Sequence, residues 1–192
     1  MIPASGKEVT EMQHTIKTVF PRLGGMNENK TNTPEITERD KAFMREAIRL
    51  ANESVERGGG PFGAVIVKEG EIVAGCSNSV TLDNDPTAHA EVNAIREACR
   101  KLGTFDLSGC RIYTSCEPCP MCLGAIYWAG IDRIYYGNTR RDAAEADFAD
   151  DFIYEELSSP LEQRKLPIVS MLRDEALHSF VLWKGKGDRV AY

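Results

Sequence analysis

Hydrophobic residues recur at helical spacing in three stretches of the chain. The first predicts a helix over 38–57, which ends at three consecutive glycines. The second predicts a helix that follows the cap signal of Asp85 and Pro86 and continues to 102, just before Gly103. The third predicts a helix over 120–128 that begins with Pro120, because proline at the first helical position loses no hydrogen bond.

Short apolar runs between these helices predict strands at 62–67, 72–78, 111–114, 133–136 and 168–172. Glu69-Gly70 is typical of a hairpin turn between the first two strands. Residues 81–87 are predicted to be a polar loop, and 142–148 and 175–183 further helices. Strands that alternate with helices indicate an α/β fold, which we predict to be a three-layer α-β-α sandwich with a mixed five-stranded sheet.

The two ends of the chain differ from this middle part. Residues 1–36 are polar and rich in Gly and Pro, so we predict a weakly structured N-terminal extension before one domain over 37–192. The first 30 residues lack the apolar stretch of a signal peptide and contain Glu8 and Glu11, which argues against a leader or transit sequence. The chain also has no apolar run long enough to span a membrane, so we expect a cytoplasmic protein without a membrane partner.

Composition narrows the class of protein further. The 192 residues are 42% hydrophobic, enough for one domain with a sizeable core. The net charge of -6 and the lack of an obvious basic stripe argue against nucleic acid as a partner. Six cysteines in an intracellular chain serve as core residues, metal ligands or nucleophiles. We interpret Cys99 as a core residue and Cys76 and Cys110 as strand residues.

Two of the other cysteines flank a helix start in the stretch Pro118-Cys119-Pro120-Met121-Cys122. Cys119 is predicted to cap the helix, and Cys122 lies one turn further along the same face, so both sulfurs can point the same way. The partial positive charge of a helix N-terminus favours thiolates. The sequence therefore predicts a metal site here.

His89-Ala90-Glu91 supplies the other half of that site. Positions i and i+2 of a helix face nearly opposite ways, so His89 must lie in the first turn or just outside it for both side chains to reach one centre. His89, Cys119 and Cys122 are three ligands that Zn²⁺ accepts, and they leave a fourth position for water, as in catalytic sites. The metal lowers the pKa of that water towards ~7–9, and Glu91 would take its proton and pass it to a ring nitrogen.

His-x-Glu followed by Pro-Cys-x-x-Cys is typical of zinc deaminases that act on nucleobases. Alternatives remain: a Cys-x-x-Cys redox pair, half of a zinc ribbon, or a closed site with Cys116 as fourth ligand in a zinc-stabilised binding module. A closed site would have no metal-bound water from which Glu91 could take a proton, so we predict the open, catalytic site. His178, alone in the last predicted helix, is interpreted as a surface residue.

The sequence around these motifs resembles the bacterial guanine deaminases, within the cytidine-deaminase-like superfamily. The similar stretches are 59–67, 84–92, 114–126, 142–146 and 151–154, and the last two are lacking in the superfamily at large. The resemblance covers about 38–192. It implies a cytidine-deaminase-like fold with one Zn²⁺ per subunit, and hydrolysis of guanine to xanthine and ammonia by attack at C2 with proton transfer to N3 by Glu91.

The resemblance also implies how the base is held. Phe62 would stack on the purine, Asn78 would hydrogen-bond it, and the backbone of Ala90 would contact the ring. Asp150 would accept hydrogen bonds from guanine's N1–H and 2-amino group and assist proton transfer. The family usually has Phe-Asp-Asp where this chain has Phe148-Ala149-Asp150-Asp151, so Asp151 is the alternative to Asp150.

The C-terminal segment, about 174–192, is implied to be exchanged between the two subunits of a homodimer, with Tyr192 reaching the substrate. Whether Tyr192 acts in its own site or its partner's stays open, and a frayed tail is the alternative. A tail that closes the pocket would favour the free base over guanosine. The remaining rivals are guanosine or ammeline (an aminotriazine) as substrate, and tRNA adenosine deamination, which would need basic residues around the site.

Overall fold

The computed structural model describes residues 35–148 and 150–190. The chain divides into two units, and the larger spans 35–168. Its helices and strands are, in order, α1 (Glu38–Glu56), β1 (Gly63–Lys68), β2 (Glu71–Ser77), α2 (Val80–Asp83), α3 (Ala90–Leu102), β3 (Cys110–Cys116), α4 (Pro120–Trp128), β4 (Arg133–Asn138), α5 (Arg140–Glu145), α6 (Asp151–Ser158) and a 3-10 turn (Leu161–Gln163).

The strands form one mixed sheet in the order β2-β1-β3-β4, in which β1 is antiparallel to β2 and β3, and β3 is parallel to β4. Val65 of β1 packs with Ala47 of α1 on one face of the sheet. Ile66 faces the other way, into a core built with Ala94 of α3 and Ile126 of α4. Helices therefore cover both faces, and the predicted three-layer α-β-α architecture is confirmed.

The sheet has four strands in the described part of the chain, so the predicted fifth strand is wrong there. Residues 168–172 have no strand pairing, Val169 and Met171 are 81% and 76% exposed, and Leu172 is left-handed with a φ of 52°. An apolar run shows that a segment suits a strand, but a strand also needs backbone N–H and C=O groups of a neighbour. The sequence pattern contains no information about that neighbour.

The helix start predicted at Asp85 and Pro86 is also wrong, because α3 begins at Ala90 with His89 as its N-cap. The Asp85 carboxylate accepts hydrogen bonds from the backbone N–H and the hydroxyl of Thr87, both at 2.7 Å. This side-chain turn competes with helix formation, as Asp does when its acceptor binds the backbone two residues on. The helix therefore begins at Ala90 instead of Pro86, and His89 keeps an extended backbone.

The second unit is described over 169–190 and contains α7 (Arg173–Gly185). Phe180, Val181 and Leu182 on this helix are each more than 60% exposed. Within the described ranges no helix has the length and apolar character needed to cross a membrane. The predictions for Tyr192 and for most of the N-terminal extension, residues 1–34, lie outside the described residues, and the predicted domain boundaries stay predictions.

Candidate active site

The predicted metal ligands come together where the N-termini of α3 and α4 meet. His89 Nδ1 lies 3.6 Å from the Cys119 sulfur and 3.5 Å from the Cys122 sulfur. The three ligand atoms all lie within 4.8 Å of one another. Cys119 caps α4 with an extended backbone and Pro120 occupies its first turn, which places both sulfurs on one side as the spacing predicts.

The local structure of α3 explains how His89 and Glu91 reach the same centre. His89 is the N-cap, with φ −70° and ψ 151°, so its side chain does not follow the helical rotation. Glu91 lies in the first turn and is only 7% exposed. Since both helices present their N-terminal ends here, their dipoles favour negatively charged ligands in the site.

Electrostatics prepare Cys119 for metal binding. Hydrogen bonds from the Cys122 thiol and from His89 hold the pKa of the Cys119 thiol at about 4. The Cys122 thiol is the donor in the first of these bonds, and its pKa is raised as a result. Cys119 is therefore a thiolate at neutral pH, and the thiolate is the form that binds metals.

Cys116 does not belong to this group. Its side chain is buried, and its thiol donates a hydrogen bond to the carbonyl of Thr139 at 3.6 Å. Burial raises the pKa of the Cys116 thiol to about 11, so it is protonated at neutral pH. The site brings together three candidate protein ligands, one His and two Cys. Such a set suits Zn²⁺ and corresponds to an open catalytic site rather than a closed structural one.

Glu91 lies beside the ligands without being one of them. Burial raises the pKa of its carboxyl above the usual range. A raised pKa suits a group that must first take a proton and then return it. The arrangement can therefore support hydrolysis at a carbon held near the metal.

The residues predicted to hold the base lie on elements that adjoin the site. Phe62 precedes β1, packs against the core that contains Ala90, and contacts the Phe148 ring edge-on with centroids 4.9 Å apart. Asn78 is buried, and its side-chain oxygen accepts hydrogen bonds from the backbone N–H groups of Gly60 and Val80 at 3.3 and 3.2 Å. Those bonds fix the carboxamide so that its NH₂ group is the one left for another partner.

The two candidate carboxylates differ clearly in their surroundings. Asp151 is exposed in the first turn of α6. Asp150 precedes α6, and its Oδ1 atom is buried without a hydrogen-bond partner among the described residues. Burial, followed by the nearby charge of Cys119, raises the pKa of the Asp150 carboxyl. A buried oxygen that accepts no hydrogen bond destabilises the folded state. Asp150 is therefore the carboxylate suited to accept a hydrogen bond from a ligand.

Sequence reasoning missed several residues that position this site. Asn93 donates from one amide group to Ser77 O, Ser79 Oγ and Ala88 O at 3.0–3.3 Å, which ties α3 to the loop before His89. Ser54 of α1 donates to the Asn78 carbonyl at 2.9 Å. The available signal was a polar residue on the buried face of each predicted helix.

Residues 37–138 match the family model for the cytidine and deoxycytidylate deaminase zinc-binding region. The guanine deaminase of Bacillus subtilis is 52% identical over 153 residues, which are 79% of this chain and 98% of that protein. Its crystal structure matches over the same shares with a TM-score of 0.77.

Two further matches are less extensive. The guanine deaminase from Nitrosomonas europaea is 27% identical with a TM-score of 0.57, over 81% of this chain and 90% of that one. The tRNA-specific adenosine deaminase of Aquifex aeolicus is 48% identical over 94 residues, which are 49% of this chain and 62% of that protein. The similarity to the tRNA enzyme therefore covers a smaller part of both chains.

The number of ligands and the buried acid beside them define the class: this is a zinc-dependent hydrolytic deaminase. Both halves of the metal site fall within the matched residues. The chain belongs to the cytidine and deoxycytidylate deaminase zinc-binding family, and within it the guanine deaminases match over most of its length. The resemblance predicted from the sequence is confirmed.

Proposed function

We propose that this protein hydrolyses guanine to xanthine and ammonia. The observation that carries the proposal is the 52% identity to a guanine deaminase, over 98% of that protein's length. The match to a tRNA-specific adenosine deaminase, by contrast, stops at 62% of its length. The net charge of -6 also argues against a polyanionic substrate such as tRNA.

The contacts proposed for the base agree in chemistry with guanine. Guanine offers N1–H and the 2-amino group as donors, and the buried, unpartnered oxygen of Asp150 is an acceptor that suits them. Phe62 offers an aromatic face for stacking, and Asn78 a fixed NH₂ donor for an acceptor on the ring. Ala90 is the first residue of α3, where a backbone N–H has no partner within the helix.

Glu91 performs the proton transfers in the proposed mechanism. His89, Cys119 and Cys122 would hold the zinc ion, which would supply a water molecule of lowered pKa. Water adds across the C2–N3 bond of guanine: its oxygen bonds to C2, while Glu91 takes a proton and delivers it to N3. Glu91 then takes the second proton from the new hydroxyl on C2 and gives it to the 2-amino nitrogen. As the C2=O bond forms, the bond from C2 to that nitrogen breaks, and ammonia leaves with xanthine as the product.

A substrate panel tests this proposal. We expect kcat/KM for guanine to exceed that for guanosine and ammeline by at least about tenfold, or 1.4 kcal/mol. Xanthine formation and ammonia release should be measured together, with a tRNA adenosine substrate in the same panel. Equal or faster turnover of guanosine, ammeline or tRNA adenosine would assign the protein to the corresponding rival activity.

The proposal includes a homodimer with an exchanged C-terminal segment. Phe180, Val181 and Leu182 form a consecutive apolar run that one chain leaves exposed, and a second copy would cover it. We propose that about 174–192 pairs with the other subunit and that Tyr192 closes the substrate pocket. The absence of nucleic acid and membrane partners and the cytoplasmic location stay predictions.

Removal of residues 184–192 tests the proposed tail. The truncated chain should lose at least about tenfold in kcat/KM for guanine, because a pocket left open to water binds the base less well. Light scattering on the full chain should give twice the monomer mass of 21.3 kDa. A monomeric full chain, or full activity after truncation, would contradict the arrangement.

A further inference from the structure

Tyr154 links α6 to the metal-binding loop. Its side chain is half-buried, and its hydroxyl donates a hydrogen bond to the carbonyl of Pro118 at 3.1 Å. Pro118 directly precedes the ligand Cys119. Tyr154 also lies four residues after Asp150, so the two residues share one side of the start of α6.

Other contacts hold the same loop from the α5 side. The backbone N–H of Arg140 donates to the Glu117 carboxylate at 3.1 Å, and the Cys116 thiol donates to the Thr139 carbonyl. The Arg140 guanidinium lies 4.9 Å from the centre of the Tyr154 ring, a cation–π contact that orients the ring. The two hydrogen bonds hold α5 to the loop, and the cation–π contact joins α5 to α6. The Tyr154 hydroxyl bonds α6, the helix that follows Asp150, directly to the metal-binding loop.

Asp150 depends on that attachment because no residue that the structure describes holds its buried Oδ1 atom by a hydrogen bond. A buried unpaired oxygen favours movement towards water, since its desolvation is not compensated. The position of this carboxylate therefore has to come from the backbone that carries it. That backbone is anchored to the metal loop by the bond from Tyr154 to Pro118.

We propose that Tyr154 is a positioning residue that holds the Asp150 carboxylate at the substrate pocket, so that the metal loop and the base-binding segment keep a fixed separation. The inference rests on the proposed function for the role of Asp150. It assigns part of the substrate affinity to a tyrosine that acts through Asp150. Removal of the Tyr154 hydroxyl should therefore mainly raise KM for guanine.

A Tyr154→Phe variant of the zinc-loaded protein tests this. Losing one hydrogen bond between neutral groups should lower kcat/KM for guanine about two- to tenfold, mainly through KM, with zinc content unchanged. The Tyr127→Phe variant, whose hydroxyl lies on a side chain that is 51% exposed, is the matched control and should behave as the wild type. In an Asp150→Asn background, adding Tyr154→Phe should change kcat/KM less than about twofold. An equal effect in both backgrounds would show that Tyr154 does not act through Asp150.

A second measurement does not depend on activity. Amide hydrogen exchange in α6 should speed up at least about threefold in Tyr154→Phe and stay unchanged in Tyr127→Phe, because a lost anchor lowers local stability. Unchanged exchange in Tyr154→Phe would overturn the anchoring role even if guanine is the substrate. If the protein does not turn over guanine but Tyr154→Phe still exchanges faster in α6, the proposed function is contradicted and the anchoring role of Tyr154 is supported.

Discussion

Replacing Glu91 with Gln is expected to lower kcat for guanine by about 10²–10⁴-fold, the usual contribution of a positioned general acid–base. Glutamine keeps the size of the side chain but cannot take the proton from water or deliver it to N3. The bound zinc should remain, because Glu91 is outside the group of three ligand atoms. The measurement is xanthine formation under saturating guanine, with zinc determined on the same samples.

The control for this variant lies on the same helix. Glu97 forms an ion pair with Arg100 at 2.7 Å near the surface of α3, so Glu97→Gln removes an equal charge away from the ligands. It should leave kcat close to that of the wild type, since exposed ion pairs contribute little. If Glu91→Gln keeps its zinc and still deaminates guanine at the wild-type rate, the proton-transfer mechanism is wrong.

The two cysteines at 116 and 119 should respond to substitution in opposite ways. Cys119→Ala removes a ligand that is already ionised, and we expect zinc affinity to fall by more than the 10–100-fold typical of losing an outer-shell partner. Activity should fall with the zinc content. Zinc per chain after dialysis against a competing chelator, measured by atomic absorption, gives the result.

Cys116→Ala is the matched comparison because it changes the same atoms three residues earlier. The Cys116 thiol bonds to a carbonyl and is protonated at neutral pH, so its loss should cost at most about 1–3 kcal/mol of stability. The variant should retain its zinc stoichiometry. Loss of zinc from Cys116→Ala to the extent seen in Cys119→Ala would show four cysteine and histidine ligands, and hence a closed site.

Much of the fold could be predicted from the sequence because local signals decided it. Helix α4 was predicted over 120–128, and the structure has Pro120–Trp128, because a proline at the first position determines where a helix can begin. The bounds of α1 agree to within one residue, since the Thr37 capping box and the glycines after Arg57 delimit it. Signals of this kind lie within a few neighbouring residues, so they predict where a helix begins and ends without any information about the rest of the chain.

Errors arose where two local signals competed or where a distant partner was needed. Asp85 followed by Pro86 suits a helix start, yet the carboxylate bonds to Thr87 and forms a turn. Residues 168–172 have a strand-like pattern but no strand beside them among the described residues. The choice between Asp150 and Asp151 also needed coordinates, because burial depends on what packs above the segment rather than on its own sequence.

The sequence by itself determined the chemistry of this protein: a His, two Cys and a Glu at spacings that two helix starts can bring to one metal ion. Those spacings are short, so the geometry of one helical turn was sufficient to interpret them. Only the tertiary structure decided the rest. It brought His89 next to the two sulfurs, some thirty residues further along the chain, and kept Cys116 out of the candidate ligand set. It also buried an oxygen of Asp150, just before the helix that Tyr154 bonds to Pro118. Such contacts join residues distant in sequence, and the packing of the whole domain selects them rather than any local preference.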